Sequence, residues 1–241
     1  YYKDGELQKT GWTVIDGNTY YLDTETGYAA TGIATLIPNG ATEAARCVFD
    51  ANGVFQSNVT GVYSVGNDTY WLNGGIIEEE AGLKRVVKEN GEINYYYFGK
   101  DGKACKANAD TKEYTVEKNN GYGLPEGNNY RFDKSGVIEH FVGCPNGIYY
   151  DEATTSYYYC VDGVIIANGL MEINGSYYYA RTSTGAFVRN QTYWVTKTNG
   201  LLTEGNYTFD NEGKIVFSVE PEKKNGIVEE NGSLYYYVDG V

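Results

Sequence analysis

Apolar and polar residues in this chain alternate over short runs that end at glycine, with almost no helical spacing. One run reads Trp12-Thr13-Val14-Ile15, then Asp16-Gly17, then Asn18-Thr19-Tyr20-Tyr21-Leu22. The same order returns as Leu170-Met171-Glu172-Ile173, Asn174-Gly175 and Ser176-Tyr177-Tyr178-Tyr179. It returns again from Gly226-Ile227-Val228 through Asn231-Gly232 to Tyr235-Tyr236-Tyr237. Looser copies hold Tyr70-Trp71, Tyr95-Tyr96-Tyr97 and Tyr157-Tyr158-Tyr159. Asp-Gly and Asn-Gly accept the positive φ that a two-residue hairpin turn demands. The flanking Val, Ile, Thr and Tyr favour strands. Each unit therefore reads as a β-hairpin. The best helical stretch, residues 41–46, is too short to count.

A second pattern overlies the first. Phe49-Asp50-Ala51-Asn52-Gly53, Phe132-Asp133-Lys134-Ser135-Gly136 and Phe209-Asp210-Asn211-Glu212-Gly213 look like one further hairpin type. They recur with a long period of about eighty residues. Segments 82–138 and 169–216 align along nearly their whole length. A lone hairpin is too small to be stable, so the units must stack. The expected fold is all-β, with tandem hairpins stacked into an elongated β-solenoid-like array over residues 1–217. Residues 218–225 read as a linker or exposed break, and 218–241 as the truncated start of a further repeat.

Composition supports thin layers over one thick core. There are 26 Tyr and 31 Gly against 8 Phe, 4 Pro and 1 Met, and Tyr packs its ring while its hydroxyl stays wet. The net charge of −13 argues against nucleic acid, whose phosphates need clustered Lys and Arg. It suits the solubility of an exposed surface protein. No run reaches the roughly 20 apolar residues of a membrane span, so membrane insertion is not expected. No signal peptide is visible, and both ends resemble cuts from a larger multidomain protein. Cys47, Cys105, Cys144 and Cys160 form no C-x-x-C pair, and the one histidine, His140, completes no zinc set. Four cysteines allow three full pairings. Cys144 and Cys160 lie nearest in sequence, and small buried thiols are the alternative.

The segment Thr10-Gly11-Trp12, Ile15-Asp16-Gly17, Tyr20-Tyr21-Leu22-Asp23, Thr26-Gly27 and Ala30-Thr31-Gly32 resembles the cell-wall-binding repeat superfamily. That group includes choline-binding modules, glucan-binding repeats and the C-terminal repeats of clostridial toxins. The match is close over residues 10–32, and the longer blocks resemble divergent versions in surface proteins of gut Firmicutes. The resemblance implies a β-solenoid with shallow ligand sites between hairpins, and a secreted, cell-surface location. In choline-binding modules the sites are aromatic boxes supplied by a Gly-Trp and a following Tyr pair. Here only Gly11-Trp12 keeps the Gly-Trp. Later units begin with Val62, Leu83, Ile148, Leu170 and Ile227, which cannot wall a cation–π cage. Toxin-type sugar sites fit better.

Sugar rings stack their C–H faces on flat aromatics, so Trp12, Tyr20, Tyr21, Trp71, Tyr178 and Trp194 are the candidate glycan-binding residues. The competing reading is that these rings fill seams between hairpins. Strand alternation sends neighbouring residues to opposite faces, so each Tyr pair is expected to leave one ring exposed. Trp12 is the strongest candidate, and Trp12→Ala is expected to weaken binding more than stability. The Asp-rich turns at Asp23, Asp133 and Asp210 lack the ligand spacing of a calcium loop. No acid pair, nucleophile motif or phosphate-binding loop is present, so neither an enzyme nor a cofactor is expected. The expected function is a non-catalytic surface-attachment module holding cell-wall or other polysaccharide. A structural stalk or protein-binding adhesin segment is the alternative.

Overall fold

The computed structural model describes residues 1–140, 144–217, 226–230 and 232–238; the expected break at 218–225 lies outside them. Among the described residues there is no helix, and every sheet is antiparallel and small. The chain is all-β and built from tandem hairpins. It divides into two compact units, Tyr1–Cys144 with Val161–Val164, and Pro145–Cys160 with Ile165–Val241.

The tight turns form where Asx-Gly pairs sit. Gly11–Ile15 pairs with Asn18–Leu22 so that Ile15 faces Asn18 across Asp16 and Gly17. Both turn residues take positive φ, 50° and 81°, the left-handed geometry of a type I′ turn. Asn174 and Gly175 do the same between Gly169–Ile173 and Ser176–Ala180. Gly61–Val65 and Asp68–Asn73 form a third short hairpin. Wider loops join Gly82–Val87 to Ile93–Phe98, Glu113–Val116 to Asn128–Arg131, and Gln191–Val195 to Gly205–Phe209. Gly226–Glu230 pairs with Ser233–Tyr237, repeating the short unit once more.

The Phe-Asp motif forms the expected further hairpin in shortened form, with Phe209 paired to Ile215 and Thr208 to Val216, and it shares its first strand with the hairpin before it. Its turn folds a short tail back onto the second strand of the hairpin before it. Asp50 opens this turn, Gly53 N–H bonds the Asp50 carbonyl, and Phe55 bridges back to Phe49. The same kind of tail follows Phe98 and Ala180, where the turn is not Phe-Asp, and each tail works twice. One residue bonds its own hairpin: Gln56 N–H to Val48 O, Cys105 to Tyr97 and Glu139 to Arg131 in the first unit, and Val188 to Tyr179 in the second. The residue before it bonds the previous hairpin, as in Phe55 N–H to Thr19 O, Ala104 to Thr69 and Ile138 to Tyr95, with Phe187 to Tyr157 in the second unit. Each of these four cross-links is 2.8 Å long. The edge of every such second strand is thereby covered by backbone donors, which satisfies its carbonyls and stacks neighbouring hairpins inside each unit.

The turns approach these tails closely enough to require glycine. A Cβ on Gly75 would sit 2.7 Å from the Gln56 carbonyl, and one on Gly185 2.2 Å from the Ile165 side chain. Small apolar layers fill the space between. One holds Val48, Tyr70, Leu72 and Ile77, and another Leu170, Tyr179, Val188, Val195, Phe209 and Ile215. Cys144 and Cys160 are disulfide-bonded, whereas Cys47 and Cys105 are free thiols.

Candidate functional site

The aromatic residues singled out in the sequence occupy different environments. Trp12 lies on Gly11–Ile15 with its ring 5.7 Å from Phe49 in a stack and 5.1 Å from Phe55 edge-on; Tyr21 sits 5.5 Å away. Its indole N–H donates to the Ile37 carbonyl at 2.7 Å. Phe55 belongs to the tail that clamps this hairpin to the next. Trp12 therefore seals a seam, and the aromatic slot of the Gly-Trp unit is filled by the chain's own phenylalanines. These contacts match the competing seam reading of Trp12. Tyr20 and Tyr21 are half-buried beside it.

Trp71 is half-buried, 6.2 Å from Phe98, and covered by a cation. Lys84 Nζ lies 4.9 Å from its ring centroid and 2.9 Å from Glu78 Oε1. Tyr178 is 4% exposed, tilted against Phe187 at 5.1 Å, and leaves no open face for a sugar. The expected exposed tyrosines appear at Tyr235 and Tyr236, which are 50% and 72% exposed, but not at 95–97, 157–159 or 177–179, where every ring is buried or half-buried. Alternation does send successive rings to opposite faces, but the tails and the neighbouring hairpin cover both faces.

Trp194 is different. It lies on Gln191–Val195, where Tyr193 and Val195 turn inward, and it is 55% exposed. Among the described residues its ring meets no aromatic or cation and its indole N–H no acceptor.

Sequence reasoning missed how widely the chain's own cations sit on its aromatic faces. Arg46 lies 5.2 Å over Tyr70 and Arg181 5.0 Å over Tyr193. Arg189 lies 5.9 Å and 5.8 Å from the paired rings of Tyr150 and Tyr157, and its guanidinium donates to the Thr155 carbonyl at 2.8 Å. The signal is a basic residue far along the chain from its ring, which no local motif reveals. Each such cation covers a ring face that an external ammonium group would use.

Two further polar clusters are structural. Arg85 Nε donates to Asp162 Oδ2 at 3.0 Å, and the Tyr95 hydroxyl donates to the same oxygen at 2.7 Å. Burial, with the Asp162 charge beside it, pushes the Tyr95 phenol up to about 12. Tyr95 is fully buried, so this trio braces the first unit and no substrate reaches it. The aspartates at the turns are spent on backbone donors. Asp23 Oδ1 accepts the N–H groups of Glu25 and Thr26, and Asp210 Oδ1 those of Glu212 and Lys214. The Thr26 backbone N–H, above all, holds the Asp23 carboxyl below the usual carboxylate range.

No protein-family model matches the chain. No curated protein matches it either. The solved structures similar to it include two proteins from Streptococcus pneumoniae. One is choline binding protein F from Streptococcus pneumoniae, in the presence of a tetrasaccharide-pentapeptide peptidoglycan analogue. It shows 23% identity and a TM-score of 0.47, with 87% of this chain and 58% of that chain covered. Another is the modular autolysin LytC from Streptococcus pneumoniae in complex with a synthetic peptidoglycan ligand. It shows 18% identity and a TM-score of 0.38, with 94% of this chain and 51% of that chain covered. This chain thus spans little more than half the length of each of these proteins.

Proposed function

We propose that the chain is a non-catalytic attachment module that holds polysaccharide at a bacterial surface, with residues 218–241 belonging to a further repeat. The observation that carries this reading is the outward ring of Trp194, held on a paired strand in a protein whose other tryptophans are sealed or covered. A large flat aromatic left 55% exposed on a rigid strand costs stability without contributing packing, and stacking on a sugar ring is a use that recovers it. The Tyr/Trp hairpin pattern and its resemblance to cell-wall-binding repeats support the same reading. The disulfide-bonded Cys144 and Cys160 fit an oxidising, extracellular setting.

A stalk or protein-binding adhesin segment is the second reading, favoured by the self-filled slot at Trp12 and the cation-covered rings. Pull-down of the folded chain on insoluble peptidoglycan and on a panel of immobilised polysaccharides separates the two. Retention that free polysaccharide competes away is expected. No retention on any glycan, by a sample with an intact cooperative melt, would leave the stalk.

A further inference from the structure

Comparing two hairpins of this chain shows what Trp194 has acquired. The pair Glu113–Val116 and Asn128–Arg131 and the pair Gln191–Val195 and Gly205–Phe209 have the same register and end in the same Phe-Asp turn. On the outer face of the first, Glu113 faces Arg131 and Thr115 faces Asn129. Glu139 in the tail lies beside Arg131, 3.5 Å from its guanidinium. On the outer face of the second, Thr192 faces Thr208, Trp194 faces Asn206, and Val216 pairs with Thr208. Position for position, Glu113 has become Thr192, Thr115 has become Trp194, Arg131 has become Thr208 and Glu139 has become Val216, while Asn129 remains as Asn206. The third Phe-Asp hairpin carries Thr35 opposite Arg46 where the second carries Trp194 opposite Asn206, and Ile33, a buried Val48 and Gln56 where the first carries Glu113, Arg131 and Glu139.

Relative to the first hairpin this face carries three fewer charges and one tryptophan more, in a chain of net charge −13. A spacer face gains nothing from this exchange, because exposed charge keeps a surface soluble and exposed Trp does not. The resulting surface is a flat ring flanked by two hydroxyls and an amide. The Thr192 and Thr208 hydroxyls lie 2.9 Å apart, each still able to bond outward. A sugar ring offers apolar C–H faces and an equatorial rim of hydroxyls, and this face matches both. Among the described residues of this face there is no cation for a uronate or phosphate and no anion for an ammonium group.

We propose that the outer face formed by Thr192, Trp194, Asn206 and Thr208 is a binding platform for neutral polysaccharide. This rests on the glycan-binding reading above and deepens it by naming the face and the charge class of the ligand. The face lies on the outside of one sheet and is distinct from the seam behind Trp12.

The test is affinity electrophoresis of the full chain in gels containing dextran, laminarin, yeast mannan or polygalacturonate. Retardation on at least one of the three neutral polymers is expected. Trp194→Ala should weaken it roughly tenfold or more at an unchanged melting temperature, and Trp194→Phe should retain part of it. As a gain-of-function arm, Glu113→Thr, Thr115→Trp, Arg131→Thr and Glu139→Val together should add a second site. Retention on a neutral polymer that survives Trp194→Ala, or retention on polygalacturonate alone, overturns this platform and leaves the broader reading standing. Loss of all retention, including on peptidoglycan, by a folded wild-type chain overturns both.

Discussion

Replacing Trp12 by Ala should unfold the start of the first unit before it affects any ligand. The indole is wedged between Phe49 and Phe55 and tied by its N–H to Ile37. Truncating a fully buried aromatic costs about 3–5 kcal/mol, and Trp12 is half-buried, so about 2–3 kcal/mol is expected from packing. Leaving the Ile37 carbonyl without its donor adds about 1 kcal/mol. Together these give about 3–4 kcal/mol, and at roughly 2–4 °C per kcal/mol for a chain of this size the melting temperature should fall by about 6–16 °C. Stacked hairpins contact mainly their neighbours, so the loss should be local at first. Hydrogen exchange should accelerate most in residues 11–56, with circular dichroism reporting the shifted melt. Trp12→Phe keeps the ring contacts and loses only the N–H bond, so it should cost about 1 kcal/mol. A Trp12→Ala protein that melts with the wild type and loses glycan affinity would show that the ring is a platform and that the seam argument is wrong.

Other perturbations test other parts of the structure. Gly185→Ala should destabilise far more than Gly175→Ala, because both have φ near 75° but only Gly185 places its Cβ against Ile165; equal melting temperatures would refute the close approach. Burial lowers the pKa of His140, outweighing the pull of Glu92, Asp162 and Asp133, while Lys88 works in the same direction as burial. The unfolded chain therefore binds the proton more readily, and this contribution is present above the unfolded pKa near 6.5 and lost on acidification. His140→Gln should flatten the fall in chemical-denaturation stability between about pH 7 and pH 5, and an unchanged slope would remove His140 as its source. Denatured without reductant, the chain should take up two alkylating groups, on Cys47 and Cys105, and all four cysteines should react after reduction. In the native state Cys105 should react slowly at pH 8, since burial pushes its thiol up to about 11. Four groups without reductant would refute the disulfide.

Much of this protein was legible in its sequence. Asp16-Gly17 and Asn174-Gly175 need only their own backbone preferences to make a hairpin turn, and the Val, Ile, Thr and Tyr around them need only to be strands. Those interactions span a few residues, so local composition decides them. The Phe-Asp motif was visible as a repeat, but its role was not. Where the strand after Phe49-Asp50 docks depends on the Thr19 carbonyl that Phe55 reaches, thirty-six residues upstream in the chain. The fate of each aromatic was decided at the same level. Trp12, Trp71 and Trp194 all sit on hairpin strands among β-formers, and nothing local distinguishes them. Trp12 is sealed because a tail delivers Phe55 to it, and Trp71 is covered because the next hairpin brings Lys84 over its ring. Trp194 stays open because its ring points to a face on which none of the described residues packs. Exposure is set by what packs over a residue, and in a stack of hairpins that neighbour comes from a different unit of the sequence.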